Sequence, residues 1–315
     1  MDAFKRGGWW TVVVRPDEDG ETLGRVMRRR FGLTGRLYQR IVHARAFRLN
    51  GRVSHTAARV RAGDRISVRI APPESYGVTP EPIPIRVVYE DAHYFAVDKP
   101  PGMLVHPIGR DGEPGSGGTL AAAVAGWLQA RGIRTRIRPV NRLDRETSGL
   151  VLFARHALAH ARLDAPLRRG MIDRRYLAVV HGVPDPPEGE IDAPIARDPA
   201  HSERRIVAPD GQPARTRYRT LAVYAGAALL DVALMTGRTH QIRVHLSHLG
   251  HPLFGDRTYG GREHPAAPLG RQALHAYRLA FHHPFEDRPV TIEAPLPPDL
   301  ERLLQALANH GSGAV

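Results

Sequence analysis

An α+β fold of two regions is what this sequence predicts, and three observations lead there. The chain has 315 residues, enough on a scale of roughly 100–200 residues per domain for two domains and a substantial core. From residue 85 onward, strand-like runs dominate and do not alternate regularly with helical ones, which argues against a doubly wound parallel sheet. Residues 72–84 (PPESYGVTPEPIP) are rich in proline and polar residues and lack periodicity, which fits an extended linker. The expected organisation is a small domain over 10–72, a linker over 73–84 and a large domain over 85–307.

In chain order, 21–31 (ETLGRVMRRRF) and 35–45 (GRLYQRIVHAR) space their apolar residues as short amphipathic helices with exposed arginines. Asn50-Gly51 between apolar residues signals a tight turn, and Gly63-Asp64 leads into an alternating strand over Arg65–Ile70. The amino-terminal unit therefore reads as helix, helix, hairpin. In the large domain, strands are expected at Ile85–Tyr89, Tyr94–Val97, Leu150–Ala154, Tyr176–Val180, Thr216–Val223, Ala227–Leu234, Ala273–Phe281 and Val290–Ala294. Helices are expected at Leu120–Ala130, Thr239–Leu249 and Asp299–Ala308, with a disordered tail from about Ala308. Lys99-Pro100-Pro101-Gly102 reads as a rigid turn.

Composition narrows the partner. The formal net charge is +13, and nearly all of the positive charge is arginine, since Lys5 and Lys99 are the only lysines. Arginine's planar fork grips phosphate oxygens in pairs and stacks on bases, so a polyanion, nucleic acid first, is the expected partner. The absence of cysteine excludes disulfides, thiolate nucleophiles and cysteine-based zinc sites. The opening residues lack the apolar stretch of a signal peptide, and the longest apolar run, Leu120–Leu128, is too short to cross a bilayer. A soluble cytoplasmic protein is expected.

The segment Pro139–Arg155 (PVNRLDRETSGLVLFAR) is the most informative. It sets Asp144 between Arg142 and Arg145, ahead of a Thr-Ser-Gly turn and an apolar strand. Nearby cations lower an Asp pKa from its reference of about 3.9, and an ionised carboxylate can attack carbon. The plainer reading is an arginine-rich loop making surface ion pairs, worth ~0–1 kcal/mol each. Arg174-Arg175-Tyr176 begins an apolar strand, where Tyr176 either faces the core or offers a stacking face worth roughly 1–3 kcal/mol and a hydroxyl for proton exchange. In 236–246 (TGRTHQIRVHL), core spacing of Ile242, Leu246 and Leu249 leaves Arg238, His240 and Arg243 free to point into a cleft or to coat a solvated face. The histidines at 240, 245, 248 and 251, and His156 with His160, lack the acidic partner of the His-Glu-x-x-His pattern. The Gly115–Gly118 run lacks the Lys-Ser/Thr of a phosphate loop.

The order of residues 87–107 (VVYEDAHYFAVDKPPGMLVHP), 141–155 (NRLDRETSGLVLFAR), 174–182 (RRYLAVVHG) and 236–260 (TGRTHQIRVHLSHLGHPLFGDRTYG) resembles the successive motifs of the RluA-type RNA pseudouridine synthases. Residues 46–70 resemble the small RNA-binding domain of ribosomal small-subunit protein S-four, which often precedes that catalytic domain. The resemblance implies a mixed, largely antiparallel sheet flanked by helices and split by an RNA-binding cleft, after a small α/β S-four-like domain. It implies Asp144 as nucleophile, Tyr176 packed on the target base, Arg243 paired with the aspartate and Arg142 holding the extruded nucleotide. RNA contacts are expected at Arg145, Arg238, His240 and Lys99, and at positions 37 and 40 within Arg36-Leu37-Tyr38-Gln39-Arg40.

The implied reaction needs no cofactor and no metal. The implied partner is RNA, ribosomal or transfer, bound by a monomer without a membrane. One position departs from the family's usual His-Arg-Leu-Asp: Asn141 stands before Arg142. The competing readings are a non-catalytic RNA-binding or ribosome-assembly protein, and a metal-dependent nuclease that would need a carboxylate cluster this chain lacks.

Overall fold

The computed structural model describes residues 8–33, 35–70, 74–107, 117–201 and 203–311. The amino-terminal unit is a three-stranded antiparallel sheet in the order β1-β3-β2, built from β1 (Trp9–Val13), β2 (Phe47–Leu49) and β3 (Arg65–Arg69). Two helices, α1 (Leu23–Phe31) and α2 (Gly35–His43), cover it. Leu23, Val26, Met27 and Phe31 recur every three or four residues along α1, so all four fall on one face and are fully buried. β1 was not anticipated from sequence; it pairs with β3 across Trp9↔Arg69 to Val13↔Arg65. Asn50 and Gly51 both have positive φ, 51° and 81°, as a two-residue turn between Leu49 and Arg52 requires. The hairpin stops there, and the chain loops out before β3 returns to pair with β2.

The large domain is a nine-stranded mixed sheet. Its strands are β4 (Arg86–Glu90), β5 (Tyr94–Lys99), β6 (Ser148–Ala154), β7 (Asp173–His181), β8 (Glu188–Asp192), β11 (Arg215–Tyr224), β12 (Ala227–Leu234), β13 (Leu274–His283) and β14 (Arg288–Glu293). The order is β4-β5-β6-β13-β7-β12-β11-β8, with β14 on β13; β13 and β6 are parallel and the other pairs antiparallel. β6 is buried along its whole length, which explains its unbroken apolar sequence. Where β6 meets β13, Gly149 has φ 111° and a Cβ would lie 2.2 Å from the Ala276 carbonyl oxygen, so only glycine lets these strands approach. Helices α3 (Leu120–Gln129), α4 (Ala157–Arg168), α5 (Gln241–His248) and α6 (Pro298–Gly311) flank the sheet, and a short hairpin of β9 (Ile195–Arg197) and β10 (Arg205–Val207) stands off it.

Several expectations need correction. Sequence reading missed α4 and β8 to β10. Leu249 is the C-cap of α5 and is 38% exposed, while Ile242 and Leu246 are core. The expected disordered end is helical through Gly311, and residues 312–315 lie outside the described residues, as do residues 115 and 116 of the Gly115–Gly118 run and part of the proposed linker.

The rest of that linker is not a free tether. Glu74 N donates to Arg134 O at 3.2 Å, Ile137 N to Tyr76 O at 3.0 Å and Glu81 N to Ala122 O at 3.0 Å, so residues 74–81 are strapped to the large domain. The two regions also share a seam. Leu158 of α4 is buried in the amino-terminal core, and Phe285 lies 5.3 Å from Trp10 between ring centroids. Among the described residues no helix is long and apolar enough to cross a membrane.

Candidate active site

The loop before β6 carries Asp144, and the fold holds that loop from several sides. Asn141 is buried; its Oδ1 accepts from Leu152 N at 2.8 Å and its Nδ2 donates to Leu150 O at 3.0 Å, so it reads the β6 backbone as another strand would. Gln272 Nε2 donates to Thr147 Oγ1 at 3.0 Å and Arg271 Nη1 to Glu146 O at 3.2 Å. Lys99, wholly buried, donates from Nζ to the carbonyls of Pro100, Met103 and Arg145 at 2.7, 2.8 and 2.9 Å.

The Lys99 geometry overturns its expected role: it does not meet RNA but staples the loop from beneath. Burial lowers its pKa to about 7, yet three carbonyl acceptors call for three N–H donors, which only the ammonium form has. Lys99 is therefore held as the ammonium by its three carbonyl partners.

Asp144 looks into a cleft of roughly 2310 Å³, with Tyr176 of β7 and Arg243 of α5 on the same walls. Arg243 Nη1 stands 3.6 Å from Asp144 Oδ2. Arg243 is buried, whereas the Asp144 side chain is 27% exposed and open to a ligand. Arg142 and Arg145 line the cleft and are exposed, and among the described residues the cation within ion-pair distance of Asp144 is Arg243.

What aims Arg243 is a residue the sequence reading passed over. Asp256 takes Nε at 2.7 Å and Nη2 at 2.8 Å on its two oxygens, a bidentate grip that leaves Nη1 for Asp144. Burial works against the Arg243 charge, but the hydrogen bonds and charge of Asp256 outweigh it and hold the pKa above its ordinary value. A lone carboxylate in the basic stretch 250–262 was the available signal.

Burial pushes the Tyr176 phenol up to about 12; Arg174 opposes the rise and Asp144 adds to it. Tyr176 is therefore neutral near pH 7 and offers a ring and an O–H donor. His240, just before α5, has a left-handed φ of 58° and shares a 2.9 Å hydrogen bond between Nδ1 and the Tyr259 hydroxyl. Burial lowers its pKa, with Asp144 opposing. Arg238 lines the cleft, exposed, with Nε donating to Pro213 O at 3.0 Å.

Thirteen arginines and four carboxylates line the cleft among the described residues, a potential suited to a polyanion. From the amino-terminal unit Arg40 reaches it, but position 37 does not serve: Leu37 packs against the amino-terminal core, and the neighbouring exposed cation is Arg36. Four of the histidines weighed as ligands have structural bonds instead, among them His240 to the Tyr259 hydroxyl and His251 to His181 O. His245 bonds Thr216 Oγ1 and Ala193 O, and His156 caps α4.

The family described as RNA pseudouridylate synthase matches residues 93–248, the span that holds Asp144, Tyr176 and Arg243. The chain is 36% identical over 301 residues to an uncharacterised RNA pseudouridine synthase of Bacillus subtilis, covering 95% of this chain and 97% of that one. It is 42% identical over 236 residues to ribosomal large subunit pseudouridine synthase D of Nitrosomonas europaea, covering 73% and 67%. Human RNA pseudouridylate synthase domain containing 4 shares the fold, with a TM-score of 0.56 at 22% identity over 70% of this chain and 92% of that one. Human RNA pseudouridylate synthase domain containing 1 gives 0.53 at 25% identity over 75% and 97%. With such likeness running along nearly the whole chain, and an arginine-lined cleft at the matched segment, this protein belongs to the RNA pseudouridine synthases, isomerases that act on RNA.

Proposed function

We propose that the chain converts uridine to pseudouridine in ribosomal RNA, with Asp144 as the residue that opens the reaction. The observation that carries this is one half-exposed carboxylate in an arginine-lined cleft, beside a buried neutral phenol and a guanidinium fixed by a second carboxylate. The N1–C1′ bond breaks, the uracil turns, a C5–C1′ bond forms, and the proton lost from C5 is balanced by one gained at N1. Nothing is oxidised and no group is donated. Asp144 supplies the charge whether it attacks ribose or base or removes a ribose proton. Arg243 pairs with that carboxylate and holds it in place, Tyr176 packs on the extruded base, and Arg142 at the exposed rim compensates the few kcal/mol that extrusion costs.

Ribosomal RNA as substrate draws on relatives named ribosomal large subunit pseudouridine synthase D. The amino-terminal unit is read as an S-four-like RNA-binding domain, supported by exposed Arg36 and by Arg40 on the cleft wall. One chain carries Asp144, Tyr176 and Arg243 together, which supports a monomer, acting in the cytoplasm.

The test is incubation of purified protein with uridine-labelled ribosomal or transfer RNA in EDTA, followed by nucleoside analysis. Pseudouridine should form in ribosomal RNA with the native chain, while Asp144→Asn binds RNA and yields none. Product from Asp144→Asn would refute the assignment of Asp144, and product from transfer RNA alone would reassign the substrate.

A further inference from the structure

The cleft that holds Asp144 continues to the amino-terminal unit, where Arg40 of α2 and Arg138 of the large domain both line it. Between these two arginines sits Glu74, the first described residue of the strap. Its Oε1 lies 3.5 Å from Arg40 Nη1, and its Oε2 accepts a hydrogen bond from Arg138 Nη2. The two oxygens of one carboxylate thus face one guanidinium from each region, as the two non-bridging oxygens of a phosphodiester would.

The surroundings are built to hold such an anion. Arg138 is 10% exposed and already aimed, donating from Nη1 to Arg136 O at 2.8 Å and Thr135 Oγ1 at 3.2 Å. Arg40 is 54% exposed and Glu74 21%, so water and solutes reach the carboxylate. The seam of Trp10, Leu158 and Phe285 fixes Arg40 against the large domain, and the strap bond from Glu74 N to Arg134 O fixes the carboxylate's root.

We propose that the cleft and the amino-terminal unit form one fixed RNA-binding surface, and that Glu74 holds the place of a backbone phosphate on it. RNA bound at Asp144 extends its flanking strand toward α2, where a phosphate displaces the Glu74 carboxylate and takes over Arg40 and Arg138. The Arg40 side of this bridge is exposed and worth little in water, and a phosphate that also takes the part-buried Arg138 leaves neither guanidinium unpaired while releasing its own counterions. This inference rests on the RNA-modifying reading and adds a place on the RNA, away from the reacting uridine, that the protein grips.

The experiment measures binding of a ribosomal RNA fragment across a salt series for the native chain, Glu74→Gln and Arg40→Ala, with melting curves to confirm folding. Glu74→Gln removes the competing charge and is expected to lower the Kd several-fold. Arg40→Ala is expected to raise the Kd and reduce the slope of log Kobs against log[salt] by about one. Unchanged or weaker binding by Glu74→Gln, or an unchanged salt slope in Arg40→Ala, overturns the proposal. These readouts are separate from the chemistry. If the native chain makes no pseudouridine while Glu74→Gln binds tighter, the proposed function fails and the phosphate site stands.

Discussion

At the scale of single residues, the site depends on a second carboxylate and on buried donors that hold its other side chains in place. Asp256 is nearly fully buried, and its grip turns Arg243 from a flexible cation into a fixed one. Asp256→Asn keeps the shape and removes the charge, leaving Arg243 buried with one weaker partner; breaking such a pair costs roughly 3–5 kcal/mol. The expected outcome is a lower melting temperature together with a fall in kcat at nearly unchanged RNA affinity. A purely structural role would lower the melting temperature and leave the kcat of the folded fraction unchanged. Tyr176→Phe keeps the ring and removes a hydroxyl that is neutral near pH 7, because burial has pushed its pKa to about 12. It can pass on its own proton but does not act as a phenolate base. Retained binding with reduced turnover is expected, and unchanged turnover would leave Tyr176 a stacking role alone.

At the scale of elements, the ends of β5, α4 and β13 meet in a buried aromatic cluster under the seam. His156 Nδ1 accepts from Ala159 N at 3.2 Å, so its Nε2–H donates to His93 Nδ1 at 3.0 Å. Phe285 stacks on His93 at 3.9 Å. Both acceptor nitrogens, His156 Nδ1 and His93 Nδ1, are thus occupied, and protonating either breaks a buried bond. Burial lowers the pKa of His93 to about 4, with Asp91 and Glu286 opposing and His283 adding to the fall, and that of His156 to about 3.

The unfolded value is about 6.5. Because the folded values lie below it, this contribution is fully present above pH 6.5 and is lost as pH drops through about 4. Melting curves from pH 7.5 down to 4 should show a falling transition temperature, shallower in His93→Gln. A flat profile in the native chain would show the cluster to be protonated without cost.

At the scale of the molecule, the amino-terminal unit is docked, and its removal uncovers what it was docked on. Deleting residues 1–72 takes away Trp10 and the core around Leu158, exposing Leu158 and Phe285, and removes Arg36 and Arg40 with the rest of its basic surface. The truncated protein should bind RNA more weakly with a smaller salt slope, melt earlier, and retain turnover at saturating RNA. Equal affinity with and without the segment would remove the RNA-binding role of this unit. A tether would predict independent melting of the two regions, whereas the seam and the strap predict one transition.

Much of this was legible in residue order. Period-two and period-3.6 patterns are local, so the strand β12 and helices α1, α3 and α5 fall within a residue or two of where the pattern puts them. Asp144, Tyr176 and Arg243 stand in recognisable motif segments of the sequence. Pairing across the sheet and across the seam was not legible. β1 finds its partner 56 residues away, and short edge strands such as β8 to β10 are set by that partner rather than by their own composition. Whether an arginine or a lysine meets RNA or holds a loop depends on which way the backbone carries it, and so Lys99 is a buried staple while Arg40 reaches the cleft. By itself the sequence determined the fold class, the reaction family and the candidate residues, since these follow from local pattern and residue chemistry. Only the tertiary structure decided that Asp256 aims Arg243, that Leu37 packs on the amino-terminal core, and that Glu74 joins the two regions, because each of those depends on contacts between residues far apart in the chain.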